Sequence, residues 1–532
     1  MSVGAEYRAR GWWRDTTILD DLRSAAAHHP DRAAVTVYHT DGMPPDRLSY
    51  PELAAVVRKY ADALAALGVR RGDMVALQLP NSWRYAALLL ATWQLGAAVV
   101  PVLMIMRGRE LRHVLGLTGA KVVVAPAVHR GYDYGAMLTD VGADTTVVLM
   151  NSDGDRPGTV DFGEHFERTE HPAASVLPIG ADDIAQVMFT SGTTGEPKGV
   201  VHSHNTLFAA MRGEALALGL TADDVIAMGS PLTHQAGFLY CVLMPIHLGA
   251  RAVYQDAWDP KVMLDLVAAE GVTFGMGATT FLTDAIAEQQ RCPRELATLT
   301  SYACGGSPVP PIVVDQASTV LGVRVYALWG MTENGTVTIT RPQDPPDRAA
   351  GSDGTPVPWM WTRIVDDDGR PATSPSQVGR LQVRGASQCL GYHRRPEIYA
   401  ANCSADGWFD TGDLARDDGF GGIRIAGRAK DLIIRGGENV PVVEVEAALL
   451  RLSGIRDVAV VGYPDDRLGE RAAAIVVADR PLALDDLRAH LAELDMAKQY
   501  WPERLVQLDE LPKTPSGKIQ KFVLRGQITE GA

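Results

Sequence analysis

Phe189-Thr-Ser-Gly-Thr-Thr-Gly-Glu-Pro-Lys-Gly199 is the stretch on which the reading of this chain turns. Gly192 and Gly195 let the backbone aim N–H groups at a common point, and the hydroxyls of Thr190, Ser191, Thr193 and Thr194 add donors. Lys198 contributes a point charge that suits phosphate. Together these groups describe a cradle for a polyphosphate. A Walker A loop places glycine at the fifth residue after its first glycine, then lysine and a hydroxyl residue. Here Pro197 stands at that place and Gly199 follows Lys198, so the P-loop NTPase and kinase readings lose ground. A flexible linker would share the glycine, serine and threonine content, but Pro-Lys-Gly joined to strand-like runs on both sides does not fit one.

Outward from this loop, strand-like and helix-like segments alternate. MVALQLP at 74–80, GAAVVPV at 96–102, AKVVVAP at 120–126, TTVVLM at 145–150 and RAVYQ at 251–255 read as strands. Helical patterns such as YPELAAVVRKYADALAAL at 50–67 lie between them. The alternation predicts an α/β fold with mainly parallel sheets. A chain of 532 residues exceeds what one core usually fills, which predicts at least two domains. Pro and Gly clusters fall at 341–358 and 419–422. Beyond Arg428 lies a compact unit of about a hundred residues. It has strand patterns at 458–461 and 473–477 and a helical pattern at 483–494. The expected organisation is a large N-terminal domain of layered α/β subdomains, 1–429, and a small mobile α+β C-terminal domain, 430–532, with a hinge at Ala429–Lys430.

The uncharged run from Tyr85 to Met106 is long enough to cross a bilayer. Gln94-Leu95-Gly96 and Pro101 interrupt it, and a helix-interior proline costs about 3 kcal/mol. The run therefore reads as a helix at 82–95 followed by a buried strand at 97–104, with no membrane span. The formal charge of −14 disfavours a nucleic-acid partner. Cys241, Cys292, Cys304, Cys389 and Cys403 are sparse, odd in number and lack metal-ligand spacing, which fits a reducing cytoplasm. The N-terminus, MSVGAEYRARGWWRDTT, has no apolar core of a signal peptide. Neither a G-x-S-x-G elbow nor an H-E-x-x-H pair occurs, so hydrolase chemistry lacks its parts.

The phosphate loop opens a series of motifs. In order they are Pro231-Leu-Thr-His234-Gln-Ala-Gly237, Ala303-Cys-Gly-Gly-Ser-Pro308 and Tyr326-Ala-Leu-Trp-Gly-Met-Thr-Glu333. Trp408-Phe-Asp-Thr-Gly-Asp-Leu414, Gly427-Arg-Ala-Lys-Asp-Leu-Ile433, Arg435-Gly-Gly-Glu-Asn-Val-Pro441 and Pro512-Lys-Thr-Pro-Ser-Gly-Lys-Ile519 follow. In kind and order the series resembles the adenylate-forming superfamily of acyl-CoA synthetases, adenylation domains and beetle luciferases. The likeness covers nearly the whole chain.

That resemblance implies the following roles. Thr190, Ser191, Gly192, Thr193, Thr194 and Lys198 hold the phosphates of ATP. His234 gates the acyl site, and Gly306 and Ser307 flank adenine and acyl sites. Trp329 stands where the family usually has an adenine-stacking tyrosine, with Gly330 beside it. Thr332 bonds the α-phosphate and Glu333 helps to hold Mg²⁺. Asp413 accepts from the ribose hydroxyls, Arg428 reaches the ribose or phosphates, and Lys430 is the hinge. Gly436 and Gly437 pass close to the pantetheine of coenzyme A, with Pro441 in the first turn of the helix that follows. Lys518 bridges the carboxylate and the α-phosphate. Ala236, Met276, Gly277, Gly305, Met331 and Thr336 are the expected acyl-pocket walls.

The implied activity is formation of an acyl-adenylate with release of pyrophosphate, then transfer to the thiol of coenzyme A. The alternative acceptor is a separate carrier protein, since only fourteen residues follow Lys518. Glutamine and alanine after His234 offer no carboxylate for an amino-acid substrate, which points to a simple small-molecule carboxylic acid. Leu79-Pro-Asn-Ser-Trp83, Val102-Leu-Met-Ile-Met106 and Arg130-Gly-Tyr-Asp-Tyr134 look most like cyclohexanecarboxylate-type and medium-chain acyl-CoA ligases.

Overall fold

The computed structural model describes residues 3–530 except 142–143, 153–155, 175–178, 191–196, 308, 367, 373, 436–437, 466 and 515–516. Two broad sheets form the larger, N-terminal part. In the first, Ile184–Thr190, Ala98–Pro101, Met74–Leu77, Val122–Pro126, Thr146–Met150 and Thr159–Asp161 lie side by side and parallel in that order. Lys198–Ser203 returns antiparallel beside Ile184–Thr190, and Gly391–Tyr392 completes that edge. In the second, Ala33–Tyr38, Arg251–Gln255, Val225–Met228, Phe274–Gly277, Ser301–Cys304 and Arg324–Met331 run parallel. Gly335–Ile339 and Thr355–Pro356 continue it antiparallel. The central strands are unbroken apolar runs because helices cover both faces of such sheets. Val122–Pro126, for example, is buried at every residue.

The apolar run 85–106 divides as its sequence predicts. Trp83–Gln94 is a helix whose N-cap Ser82 Oγ accepts from Tyr85 N–H at 3.2 Å. Tyr85 to Trp93 are all buried, so this helix is apolar all round because it lies within the protein core. Gly96 takes φ +70°, a left-handed conformation that ends the helix. The strand that follows is shorter than expected, Ala98–Pro101. Gln78 explains its end: its side-chain amide donates to the carbonyls of Leu103 (3.1 Å) and Met106 (3.0 Å), holding 103–106 as a turn. Among the described residues no helix is long and apolar enough to cross a membrane.

A small antiparallel sheet follows, made of Met360–Val365, Gly379–Gly385, Phe409–Asp417 and Ile423–Arg428. Its last two strands set Asp413 directly opposite Arg428.

The smaller, C-terminal part centres on the hairpin Ile455–Asp465 and Gly469–Ala478, with Arg504–Gln507 parallel to the latter. Alternation decides its layers. Val458, Val460, Ala474 and Val476 pack with the helices Val442–Leu449 and Leu484–Glu493. Ala459, Val461, Ala473 and Ile475 pack with Leu524 and Ile528 of the helix Lys521–Glu530. The strands outrun the apolar patches at 458–461 and 473–477, because Asp457, Tyr463 and Arg471 extend the ladder through their backbones. Pro441 is the residue before the helix Val442–Leu449 (φ −77°, ψ 74°), one position earlier than expected.

The two parts meet at Gly517. It has φ +82°, and a Cβ there would overlap Thr280 Oγ1 and touch Ala278. Thr280 Oγ1 donates to the Gly517 carbonyl at 3.5 Å. Only glycine satisfies both the backbone and the space.

Candidate active site

The parallel strands deliver their carboxyl ends to one region, where open α/β sheets bind ligands. Met276 and Gly277 end one strand of the second sheet, Gly305 follows the next, and Gly330 and Met331 end the third. Close approach is built in: a Cβ on Gly305 would overlap Leu328, and one on Gly330 would overlap the Gly335 carbonyl. Gly306 has φ +85°, and Ser307 Oγ donates to Thr279 Oγ1 at 3.1 Å. From the first sheet, Thr190 ends its strand directly opposite Lys198. Ser191, Gly192, Thr193 and Thr194 lie outside the described residues, as do Gly436 and Gly437.

Asp413 is buried, and both its oxygens are engaged. Arg428 Nε lies 3.0 Å from Oδ1, and the Trp329 indole N–H donates to Oδ2 at 3.0 Å. The tryptophan at the family's usual tyrosine position thus adds a donor that fixes the carboxylate, holding the indole edge-on to Asp413.

Glu333 is buried as well, and burial raises its carboxyl above the usual range, while a bond from Tyr392 and the charges of Lys198 and Arg428 oppose that rise. The Tyr392 hydroxyl donates to Glu333 Oε1 at 2.8 Å, and Lys198 Nζ lies 5.2 Å from the Tyr392 ring centre. Thr332 is held from behind: its carbonyl bonds His202 Nε2 at 2.8 Å. His202 is fully buried and neutral, its pKa lowered to about 4 by burial.

Lys518 enters from the C-terminal part on a tight loop. Its backbone N–H donates to Thr514 Oγ1 at 3.0 Å, and its carbonyl accepts from Thr514 N–H at 2.7 Å. The side chain keeps contact with solvent in an open crevice, yet protein surrounds that crevice closely. Desolvation pulls its pKa down to about 8; Arg428 and Lys430 act in the same direction, while Asp413 and Glu333 oppose. Lys430 is itself lowered, by burial first and then by Arg428. Lys198, Arg428, Lys430 and Lys518 therefore act on a region whose carboxylates include Asp413, Glu333 and, beside Lys430, Asp431. That is a local excess of positive charge in a chain of net charge −14.

His234 is half-buried, and its pKa falls to about 4 through burial and the charge of Lys518. Nδ1 accepts from Ala236 N–H at 3.3 Å, so the neutral ring carries its hydrogen on Nε2. Thr336 turns its hydroxyl away from solvent and donates to Glu214 Oε2 at 2.5 Å. Sequence reasoning missed Glu214, Tyr240, His202 and Tyr392. Tyr392 and Glu333 are 59 residues apart, and no local pattern marks the pair.

Comparison with known proteins agrees with this geometry. The model of the AMP-binding enzyme family matches residues 22–393, and that of the AMP-binding enzyme C-terminal domain matches 444–518. The chain is 34% identical over 530 residues to the medium-chain fatty-acid–CoA ligase of Escherichia coli (strain K12), covering 98% of this chain and 92% of that one. It is 34% identical over 553 residues to the 2-hydroxy-7-methoxy-5-methyl-1-naphthoate–CoA ligase of Streptomyces carzinostaticus, covering 99% and 96%. The crystal structure of ATP-bound MatB from Rhodopseudomonas palustris superposes with a TM-score of 0.85 at 28% identity, covering 97% of this chain and 99% of that one. With a nucleotide-suited crevice between a large α/β part and a small C-terminal part, and with both family models matched in order, the chain belongs to the AMP-binding enzymes, the adenylate-forming superfamily.

Proposed function

We propose that this enzyme joins a small carboxylic acid to coenzyme A through an acyl-adenylate, using the residues gathered in the crevice. The observation that carries this reading is Lys518, brought by the C-terminal part to within electrostatic reach of Asp413 and Glu333. In the first half-reaction a carboxylate oxygen bonds the α-phosphorus of ATP, and the bond to pyrophosphate breaks. Both reactants are anions, so the barrier is largely electrostatic, and preorganised positive charge lowers it. Lys518 faces the carboxylate and α-phosphate, Lys198 and Thr190 face the β- and γ-phosphates, and Asp413 and Arg428 position the ribose. No general base is required, because the acid is already ionised.

In the second half-reaction the thiol sulfur bonds the acyl carbon, the thiol hydrogen leaves as a proton, and AMP departs. His234 is neutral with Nε2 protonated, which suits a gate and hydrogen-bond donor rather than a base. We place the domain boundary at 429/430, with 430–532 rotating about Lys430 to withdraw Lys518 and present the Gly436–Gly437 loop.

Mg²⁺ fits the chemistry of the site. It dehydrates reluctantly and is commonly held by one or two carboxylates together with substrate phosphates. Glu333 is a single buried carboxylate near Lys198, which suits an ion that arrives with ATP. Relatives named for a medium-chain fatty acid and for a substituted naphthoate bracket the size of acid we assign. Free thiols at all five cysteines and the use of ATP and coenzyme A support a cytoplasmic location. The test is pyrophosphate release across a panel of acids, with and without coenzyme A. Acid-dependent release, with thioester formed only when coenzyme A is present, supports the reading; no acid-dependent release refutes it. Acyl transfer to a carrier protein but not to coenzyme A would favour the carrier alternative.

A further inference from the structure

Glu214 sits where adenylation chemistry needs no carboxylate. It lies on the helix His204–Leu218, is 0% exposed, and meets the strand Gly335–Ile339 that follows Glu333. Thr336 Oγ1 donates to Oε2 at 2.5 Å. The phenol oxygen of Tyr240 accepts from Thr336 N–H at 2.7 Å, and the Tyr240 hydroxyl lies near the same carboxyl. Oε1 is buried and accepts no hydrogen bond of good geometry among the described residues. The charged group acting on it from beyond the end of the neighbouring strand is Arg341, whose guanidinium donates to the carbonyls of Ile339 (3.0 Å) and Pro356 (2.6 Å). Burial pushes Glu214 up to about 7, so the carboxyl and the carboxylate are both populated near neutrality.

The position of this group relative to the chemistry follows from the chain. Tyr240 is six residues beyond His234, within the π-helix Gly237–Leu243 that begins three residues after it. Thr336 is three residues past Glu333, and a Cβ on Gly330 would run into both the Gly335 carbonyl and Thr336 Cα. A carboxylic acid with its reacting group beside His234 and Lys518 would point its far end along this run, past Ala236 and Met331.

We propose that Glu214, with Thr336 and Tyr240, forms a polar floor to the acyl pocket and recognises a hydroxyl at the distal end of the carboxylic acid. The proposal rests on the acid-activation reading above and narrows its substrate class to hydroxy acids. A buried, unpaired carboxyl oxygen is costly, and a substrate hydroxyl satisfies it. A site built around such a group rejects the analogue that lacks the hydroxyl, whereas an apolar floor discriminates weakly. If Glu214 only tied helix to strand, it would not distinguish between the two acids.

The test compares kcat/KM for pyrophosphate release with matched acids: ω-hydroxy medium-chain acids and para-hydroxybenzoate against their unsubstituted counterparts, with ω-amino acids as a third arm. The expected result is a preference of about tenfold or more for the hydroxy acid in the unaltered enzyme. The preference is lost or inverted in Glu214→Leu and reduced in Glu214→Gln, which keeps the shape of the side chain. Thermal melting of each variant guards against misfolding of the leucine variant, and Glu214→Gln carries the test if the leucine variant does not fold. An unaltered enzyme that favours the unsubstituted acid, or a preference unchanged in Glu214→Leu, overturns the proposal. A stronger preference for the amino acid means the carboxylate pairs with a cation, and overturns the hydroxyl assignment. Equal use of all acids defeats the floor alone; release with none of them defeats the acid-activation reading and the floor with it.

Discussion

The pH dependence of adenylate formation tests the role of Lys518 directly. An unperturbed lysine titrates near 10.4, so it would stay charged through any ordinary assay. In the crevice, desolvation first, then Arg428 and Lys430, bring it to about 8. The charged form is the one that can oppose the developing negative charge. Because the pKa is lowered, that form is complete well below pH 8 and is lost as pH rises through it. About half the free enzyme is competent at pH 8 and about a tenth at pH 9, so kcat/KM falls roughly tenfold per unit above the break. Single-turnover pyrophosphate release at subsaturating acid, without coenzyme A, measures this step. Lys518→Arg keeps its charge to high pH and loses the break, although its different reach lowers the plateau. Lys518→Ala loses about 10²–10³ in rate, the usual effect of deleting one preorganised donor, and has a flat profile. Thioester formation from preformed acyl-adenylate is the internal control. On the proposed rotation Lys518 is withdrawn in that step, and the thiolate fraction grows with pH, so its rate does not fall above pH 8. A wild-type profile with no break between about pH 7 and about pH 9.5 would refute the reasoning. So would adenylate formation by Lys518→Ala at the unaltered rate.

Trp329→Phe removes the indole donor from Asp413 while keeping an aromatic ring. A hydrogen bond to a charged group is worth about 1.5–3 kcal/mol, so KM for ATP should rise about 10- to 100-fold. Isothermal titration with ATP checks this, and unchanged affinity means the bond does not organise the ribose site. Gly517→Ala places a methyl on Thr280 in a left-handed backbone. Adenylation should drop by at least tenfold, while acyl transfer from preformed adenylate is retained, as stopped-flow measurement of each half-reaction would show. An equal loss in both steps would mean that the glycine serves stability alone.

The layered α/β architecture was legible because its buried strands are unbroken Val and Ala runs and its helices carry clear periodicity. Even the misleading run at 85–106 resolved correctly, since Gly96 and Pro101 are local signals. What escaped was non-local. The strand at 98–101 ends early because Gln78, just past the end of the neighbouring strand, claims the backbone beyond it with its side chain. Within the site, Asp413, Glu333 and Lys518 stand in compact motifs, and the fold places them around one crevice. Glu214 left no such trace: a glutamate on an alanine-rich helix reads as a solvent-facing charge until the strand it meets is known. Tyr392 likewise gains its meaning from Glu333, and Trp329 from Asp413 84 residues away.

The surplus of cations in the crevice has a bearing on how the enzyme responds to its ionic surroundings. At long range an acidic molecule repels ATP; at short range four cations attract it. Physiological salt shortens electrostatic reach to about 8 Å, which erases the distant repulsion and leaves only what lies at the mouth. Dilute buffer restores the repulsion, and concentrated salt weakens the attraction. Nucleotide capture should therefore peak at intermediate ionic strength, a dome-shaped salt profile set by where on the molecule each sign of charge resides.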